Sequence, residues 1–323
     1  NETELSLALL IAFCSSAALF KSFNIIDSYF QSQVASKYVV HVQNVCLVLS
    51  TGVKIALIYN HAPVLYFAGA LVFDSAILAL GLLFIYKRKQ LHLHTWTFNW
   101  VRAKSLIQQS WPLILTAVMI SIYMKIDQVM LKSAGSKIVG IYSAAARISE
   151  SWYFIPVAIV TSVFPAIIHA RKTDIERYHK RLQNLYDLLV AISLPVAILV
   201  SIFANQIIHI LYGNPYQGAG ILLSIHIWSG IFVFLGSASS QFLLAEGFTL
   251  ISFSRTAFGA LVNVVLNLWL IPIYGALGAS IATLIAYASS TFFILAVPHT
   301  REQGLRMLKS LFLISIIQKI VKK

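Results

Sequence analysis

The sequence predicts an all-α membrane protein, a polytopic bundle of transmembrane helices. Of its 323 residues, 59% are hydrophobic and only 11% are charged, whereas a soluble domain has about 45–50% apolar and about 25% charged residues. Apolar stretches of about 20 residues, enough helix to cross about 30 Å of hydrocarbon, recur along the chain. No long alternation of apolar and polar residues appears, so helices remain as the way to satisfy the backbone in lipid.

Nine membrane spans are predicted, and short polar segments separate them. In chain order we place them at Leu5–Phe30, His41–Tyr59, Pro63–Tyr86, Ser110–Leu131, Ile138–Ile168, Tyr186–Leu211, Ile221–Ala245, Phe258–Ile273 and Ala276–Pro298. The chain begins with Asn1 and opens almost directly into the first span. We therefore predict no signal peptide and expect the chain to begin within a longer protein.

The polar segments divide the chain into four regions. We predict a partial N-terminal helical lobe of three spans at residues 1–90, a cytoplasmic linker at 91–109, a C-terminal six-helix lobe at 110–298 and a basic cytoplasmic tail at 299–323. The linker carries Trp96 and Trp100 beside basic residues, which is typical of an amphipathic segment at head-group level. The apolar run in the tail is short, so we expect an interfacial helix or a loose tail, with a truncated further span as the alternative.

The basic residues are distributed unequally between the two sides of the membrane. The net charge is +13 and there are 24 Lys and Arg. With the first polar segment in the cytoplasm, 18 of these cations, Arg255 among them, fall on the cytoplasmic side and only Lys132 and Lys137 are external. This is the positive-inside pattern. Membrane topology therefore explains the excess of basic residues. We expect anionic membrane lipids as secondary partners and no nucleic acid.

Eight charged side chains lie inside the predicted spans. The cations are Lys21, Lys54, Lys125 and Arg147, and the acids are Asp27, Asp74, Asp127 and Glu150. At about 2.5–3.5 kcal/mol for each charge at the bilayer centre, eight that face lipid cost about 20–28 kcal/mol, which exceeds a typical protein stability of about 5–15 kcal/mol. We therefore predict that these side chains line a wet cavity enclosed by the protein.

The spacing of these charges predicts some of their neighbours. Arg147 and Glu150 are three residues apart and are expected to pair along one helix. Lys125 and Asp127 are two apart, so they point to roughly opposite faces. The four should meet near the outer half of the bilayer. The alternative is that Asp127, Arg147 and Glu150 only hold helices together by charge pairing; this applies less to Lys21 and Lys54, which have no acid at i±3 or i±4.

Catalytic and metal-binding patterns are absent from the sequence. There is no Gly-rich phosphate loop, His-Glu-x-x-His or Gly-x-Ser-x-Gly motif, and the external segments are too short for a catalytic subdomain. His92 and His94 stand two apart without a third ligand, which favours solvated side chains over a metal site. We predict that the protein is not an enzyme and needs no cofactor. Asp74, Asp127 and Glu150 are candidates to bind a coupling H⁺ or Na⁺, with Asp74 favoured because its own helix carries no cation near it.

Three segments carry a family resemblance. They are SWPLILTAVMISIYMKIDQVML at Ser110–Leu131, VGIYSAAARISESWYFIP at Val139–Pro156 and IPIYGALGASIATLIAY at Ile271–Tyr287. They resemble bacterial O-antigen flippases, the Wzx group of the multidrug, oligosaccharidyl-lipid and polysaccharide exporter superfamily. The similarity runs along essentially the whole chain, and residues 110–156 are its most specific part.

The resemblance implies twelve helices in two lobes, of which this chain would hold the fourth to the twelfth. It implies transfer of an undecaprenyl-diphosphate-linked oligosaccharide from the cytoplasmic to the periplasmic leaflet of the bacterial inner membrane. Its partners would include the O-antigen polymerase and chain-length regulator proteins. The cavity cations Lys21, Lys54, Lys125 and Arg147 would then compensate the diphosphate. The alternatives are a lipid II flippase or ion-coupled drug exporter of the same superfamily, a membrane glycan polymerase and a non-transporting scaffold.

Overall fold

The computed structural model describes residues 12–13, 15–33, 35 and 37–315. Within these residues it contains helices and turns but no strand, which confirms the all-α class. Eight stretches of this described part are long and apolar enough to cross a membrane, as expected of a polytopic bundle. The predicted span Leu5–Phe30 begins outside it. The chain divides into two compact units, Asn1–Trp100 and Val101–Lys323.

The first unit is built around a helical hairpin. After a 3₁₀ turn at Ser22–Asn24 come α1 (Ile25–Ser32), α2 (Lys37–Tyr59) and α3 (Val64–Arg88). A Cβ added at Gly81 would lie 2.5 Å from Val42 Cγ1, so glycine lets α2 and α3 approach closely. Behind α3, the Trp96 indole donates a hydrogen bond to the Tyr86 hydroxyl at 3.0 Å. The first part of the predicted linker is therefore attached to the end of α3.

The second unit contains the remaining helices. They are α4 (Trp100–Met130), α5 (Ser136–Glu150), α6 (Phe154–Thr173), α7 (Ile175–Ile202), α8 (Ala204–Tyr212), α9 (Ala219–His226), α10 (Ser229–Ala245), α11 (Thr249–Tyr274), α12 (Ala276–Phe292) and α13 (Arg301–Leu311). Because α4 begins at Trp100, the second half of the predicted linker is helix. The core of the second unit centres on Tyr142, Tyr186 and buried Leu and Ile side chains from several of these helices.

The predicted span Ile138–Ile168 is two helices rather than one. The α5 helix ends at Glu150 and α6 begins at Phe154. Pro156 explains the break, because proline lacks an N–H and clashes with the carbonyl four residues before it, yet fits the first turn of a new helix. The Ser151 hydroxyl donates to the Ile148 carbonyl at 2.6 Å and so satisfies one free acceptor at the end of α5.

The predicted span Tyr186–Leu211 also has different limits. Its helix, α7, begins eleven residues earlier, at Ile175, and ends at Ile202, where the separate α8 follows. Asp174 is the only residue between α6 and α7, and its carboxylate accepts a hydrogen bond from the Arg177 backbone N–H at 2.9 Å. This N-cap starts the helix inside a segment whose polarity indicated a loop.

Helices α11 and α12 pack in unusually close contact. A Cβ added at Gly278 would lie 2.3 Å from the Leu270 carbonyl oxygen, and one at Gly259 would lie 2.6 Å from Ser290 Cβ. Ala279, Ala282 and Ala286 of α12 are fully buried. The small residues let the two backbones approach as in other membrane helix pairs. This contact brings the polar side chains of α11 next to those of α12.

The tail is partly a packed helix. Met307 of α13 is fully buried, the Ser310 hydroxyl donates to the Asp187 carboxylate of α7 at 2.6 Å, and Gln183 Nε2 donates to Ser310 Oγ at 2.7 Å. A loose tail is therefore excluded for Arg301–Leu311, while residues 316–323 lie outside the described part. On the exposed face of α13, the hydrogen bond from Arg306 holds the pKa of the Glu302 carboxyl below its usual range.

Candidate functional site

A cavity of about 390 Å³ in the second unit contains the charge-rich part of the chain. Its volume falls within the range of about 300–1,000 Å³ that small-molecule sites occupy. We call it the Arg147 cavity, and it is lined by Lys125, Gln128, Gly140, Ser143, Ala144, Arg147, Glu150, Tyr212 and Tyr216. Helix α4, helix α5 and the segment around the end of α8 therefore form its walls.

The charges in the Arg147 cavity pair differently from the expectation. Lys125 Nζ lies 3.3 Å from the Glu150 carboxylate, so Glu150, the last residue of α5, pairs across to α4 rather than with Arg147. Among the described residues, Arg147 has no ion pair or hydrogen bond through its side chain, which is exposed to the cavity. With two cations and one acid, the lining carries a net positive charge.

Asp127 lies outside this cavity, at the centre of a buried polar cluster. It is 2% exposed and accepts hydrogen bonds from the Tyr142 hydroxyl at 2.6 Å, from the Thr283 hydroxyl at 2.5 Å and from the Asn267 side-chain amide. No Lys or Arg of the described part forms an ion pair with it. We call these four residues the Asp127 cluster. Asp127 therefore does not line the cavity that Arg147 and Glu150 share.

Unpartnered polar atoms lie within and beside the Asp127 cluster. Asn267 Oδ1 and the neighbouring Asn263 Nδ2 are buried without a hydrogen-bond partner in the described structure, and so is Nδ1 of the buried His226. The His226 ring lies 6.0 Å from the Tyr142 ring, measured between centroids. Buried polar atoms of this kind are nearly always satisfied in proteins. The cluster therefore has unused capacity to bind a small polar species or ion.

The first unit holds the Lys54 and Asp74 positions. Lys54 Nζ of α2 lies 2.5 Å from the Asp74 carboxylate of α3, and Ser50 also donates to Asp74. All three line a cavity of about 220 Å³. The cationic partner of Asp74 therefore lies on the neighbouring helix, so the sequence of α3 alone could not predict it. Lys21, exposed just before the turn at Ser22–Asn24, does not line this cavity, and Asp27 lies half-buried in α1.

Arg255 is a candidate that the sequence analysis missed. It was counted among the cytoplasmic cations, but it lies in the second turn of α11 and is only 6% exposed. It faces a second cavity, of about 300 Å³, which we call the Arg255 cavity. The apolar residues on both sides of Arg255 were the available signal. The polar residues just before it made the whole segment resemble a loop.

The two linker histidines show no metal-site geometry. The His92 and His94 rings stack with centroids 5.1 Å apart, and both side chains are exposed. Within the described part of the chain, no group of three or more His, Cys, Asp or Glu side chains gathers as metal ligands would.

The sequence profile of one protein family matches most of the chain. The family is described as polysaccharide biosynthesis protein, and the match covers residues 3–220. The chain belongs to this family. The matched residues include Lys54, Lys125 and Arg147, whereas Arg255 of this polysaccharide biosynthesis protein lies beyond them.

Curated relatives include two proteins of Haloferax volcanii. The probable flippase AglR is 24% identical over 255 residues, covering 74% of this chain and 50% of AglR. The probable low-salt glycan biosynthesis flippase Agl15 is 24% identical over 158 residues, covering 47% of this chain and 33% of Agl15. The chain spans about half the length or less of these relatives. Their names describe flippases, which supports the expectation of a protein that is not an enzyme.

Solved structures with the same fold are transporters. The lipid II flippase MurJ in its inward closed conformation has a TM-score of 0.68 at 16% identity, over 99% of this chain and 69% of MurJ. A multidrug resistance MATE family transporter of the MOP superfamily, facing inward, has a TM-score of 0.68 at 17% identity, over 94% of this chain and 80% of that one. At such identities the likeness establishes the polytopic helical fold alone.

Proposed function

We propose that this polysaccharide biosynthesis protein is part of a flippase for a lipid-linked oligosaccharide. The observation that carries the proposal is the Arg147 cavity, where a guanidinium without a partner among the described residues faces a space large enough for a ligand. A lipid diphosphate is rich in anionic oxygens, and Arg or Lys forms strong charge-assisted hydrogen bonds to such oxygens. The flippase names of the Haloferax relatives support the same substrate class.

The finer substrate follows the family resemblance. We propose an undecaprenyl-diphosphate-linked O-antigen unit, moved from the cytoplasmic to the periplasmic leaflet of a bacterial inner membrane. In this mechanism the cavity cations compensate the diphosphate, polar side chains such as Gln128 and Ser143 contact sugar hydroxyls, and the lipid tail remains in the bilayer. An O-antigen polymerase and chain-length regulators would be partners in the same process.

The charge of the Arg147 cavity separates this proposal from its alternatives. A cationic drug would meet Arg147 without an acid to compensate it, because Glu150 already pairs with Lys125. A glycan polymerase needs an external catalytic subdomain, whereas the external segment 213–218 is a short turn between α8 and α9. We therefore favour an anionic lipid carrier as the cargo.

Ion coupling is the second part of the proposal, and the geometry favours Asp127 over Asp74. Asp74 already has Lys54 as its partner, while Asp127 is buried among neutral donors. A buried charge without a counter-charge is costly, so the Asp127 cluster favours a bound H⁺ or Na⁺. The buried Asn267 Oδ1, which has no partner in the described structure, supplies a further oxygen of the type that hard cations prefer.

A vesicle assay tests the proposed function. Liposomes containing the protein and a fluorescent oligosaccharide linked to a polyprenyl diphosphate are treated with dithionite, which cannot cross the membrane and bleaches only outward-facing label. We expect the bleached fraction to rise toward completeness with the protein and to stay at the outer-leaflet share without it. Equal bleaching in both samples contradicts the proposal. Uptake of a cationic dye by the same vesicles would instead support a drug exporter.

The proposed orientation places residue 214 outside and residue 180 inside. Asn214, in the turn between α8 and α9, and Lys180, in the first turns of α7, are both exposed, and the positive-inside rule assigns them to opposite sides. In a cysteine-free protein in intact cells, we expect a membrane-impermeant maleimide to label Asn214→Cys and to label Lys180→Cys only after permeabilisation. The reverse pattern would invert the assigned topology.

A further inference from the structure

Arg255 is a buried cation without an acidic partner. Its Nη2 donates to the Gly236 carbonyl oxygen at 3.1 Å and to Ser240 Oγ at 2.5 Å, and its Nε is buried without a hydrogen-bond partner in the described structure. No ion pair with Arg255 forms among the described residues. Two neutral acceptors do not neutralise a guanidinium. A charge in this position inside an apolar helix bundle indicates a functional site more often than a structural contact.

The Arg255 cavity surrounds this cation with hydroxyl groups, of which those of Ser237, Thr256 and Thr291 already donate to backbone carbonyl oxygens. Its described lining contains no Asp or Glu, and its polar members are Tyr123, Tyr153, Ser237, Ser240, Thr256, Tyr287, Ser290 and Thr291. The three tyrosines form one cluster, with the Tyr123 and Tyr287 rings 4.7 Å apart and the Tyr153 and Tyr287 rings 6.4 Å apart. At about 300 Å³ the cavity greatly exceeds the ~10–15 Å³ that a single water needs.

From this arrangement we infer that the Arg255 cavity is a second binding site for a diphosphate group, separate from the Arg147 cavity. A guanidinium whose Nε–H has no partner in the described structure, with hydroxyl groups beside it and no Asp or Glu in the cavity lining, matches the acceptor oxygens of a phosphate. The source of the diphosphate is the lipid carrier, and this assignment rests on the proposed function. The site itself rests on the burial and the contacts of Arg255.

The second site lies on the other side of the Asp127 cluster from the first. Tyr123 of the Arg255 cavity is one turn before Asp127 in α4, and Tyr287 is one turn after Thr283 in α12. Lys125 of the Arg147 cavity points from the opposite face of α4. The two cavities therefore meet different faces of α4. At a rise of about 1.5 Å per residue, Arg255 lies about 9 Å along the helix axis from the start of α11. The proposed topology assigns this end of α11 to the cytoplasmic side.

A local chemical reporter tests the second site. Ser237 is half-buried in the cavity wall, so Ser237→Cys, in a background with Cys14→Ser and Cys46→Ser, reports occupancy by its rate of maleimide modification in the purified full chain. We expect farnesyl diphosphate at about ten times its dissociation constant to slow modification by about tenfold, since the free fraction is 1/(1 + [L]/Kd). Farnesol, which has no charge, should not slow it. Protection by inorganic pyrophosphate equal to that by farnesyl diphosphate would assign the site to free diphosphate and overturn the lipid source.

Matched variants test which arginine is responsible for the protection by farnesyl diphosphate. Arg255→Met should abolish the protection, whereas Arg301→Met, which removes an equal charge from an exposed position on α13, should retain it. Arg147→Ala should also retain it, because Arg147 lines the other cavity. Protection that survives Arg255→Met, or that Arg147→Ala removes equally, overturns the separate site, while the vesicle assay judges the flippase activity independently. If Arg255→Met fails to fold, Arg255→Lys carries the test: weakened protection supports the site, and unchanged protection overturns it.

Discussion

Replacement of Arg147 by Ala should reduce lipid flipping in the vesicle assay by about 10–100-fold. A hydrogen bond to a charged group contributes about 1.5–3 kcal/mol, and each 1.4 kcal/mol is a factor of about ten. Because Arg147 has no acidic partner among the described residues, its removal leaves no unpaired acid behind. The thermal stability of the purified variant should therefore stay close to that of the wild type. Arg147→Lys should retain part of the activity, since the charge survives without the planar fork.

A structural role for Arg147 predicts different results. If Arg147 mainly stabilised Glu150, the double variant Arg147→Ala/Glu150→Gln would be more stable than the sum of the single effects, which a double-mutant cycle measures. We expect only weak coupling, because the ion-pair partner of Glu150 is Lys125, at 3.3 Å. Lys137→Ala, which removes an exposed cation from the first turn of the same helix, is the charge control and should leave flipping unchanged. Normal flipping by a stable Arg147→Ala protein would refute the assignment.

The fold class was predictable because it depends on composition and length. Apolar stretches long enough to span a bilayer predict helices whatever their packing, and the eight spans of the described part follow from that pattern. The breaks were harder to locate. Pro156 was visible in the sequence, but a proline either kinks a helix or starts a new one. Only the structure shows that α5 ends and α6 begins there.

The candidate site was predictable only where it depends on helical spacing. The two-residue separation of Lys125 and Asp127 indicated different faces of α4, and in the structure Lys125 lines the Arg147 cavity whereas Asp127 does not. The pairs that form, Lys54 with Asp74 and Lys125 with Glu150, join residues 20 and 25 positions apart. Such pairs depend on how helices pack, and helical periodicity does not report it. For the same reason, nothing local distinguished a buried Arg255 from a solvated loop arginine.

Replacement of Asp127 by Asn should uncouple flipping from the ion gradient. Asn keeps the size of the side chain and an oxygen that accepts from Tyr142 and Thr283, but it removes the negative charge that would bind H⁺ or Na⁺. In vesicles with an imposed proton or sodium gradient, wild-type flipping should accelerate with the gradient, whereas the Asp127→Asn rate should be the same with and without it. Glu150→Gln is the matched control, since it neutralises another acid in the second unit that already has a cationic partner. It should keep the response to the gradient.

A binding measurement separates the two candidate ions and does not depend on transport. A ligand that binds only the folded state stabilises it by RT ln(1 + [L]/Kd), or about 2.7 kcal/mol at 100 times its Kd. If Na⁺ is the ion, replacing choline chloride by NaCl at constant ionic strength should raise the melting temperature of the wild type and not that of Asp127→Asn. If H⁺ is the ion, the wild type should respond to acidification and be indifferent to Na⁺. An equal response of wild type and Asp127→Asn to both ions, together with gradient-driven flipping in the variant, would exclude Asp127 as the coupling site. The Arg147 cavity would still stand as the substrate site, because Asp127 does not line it.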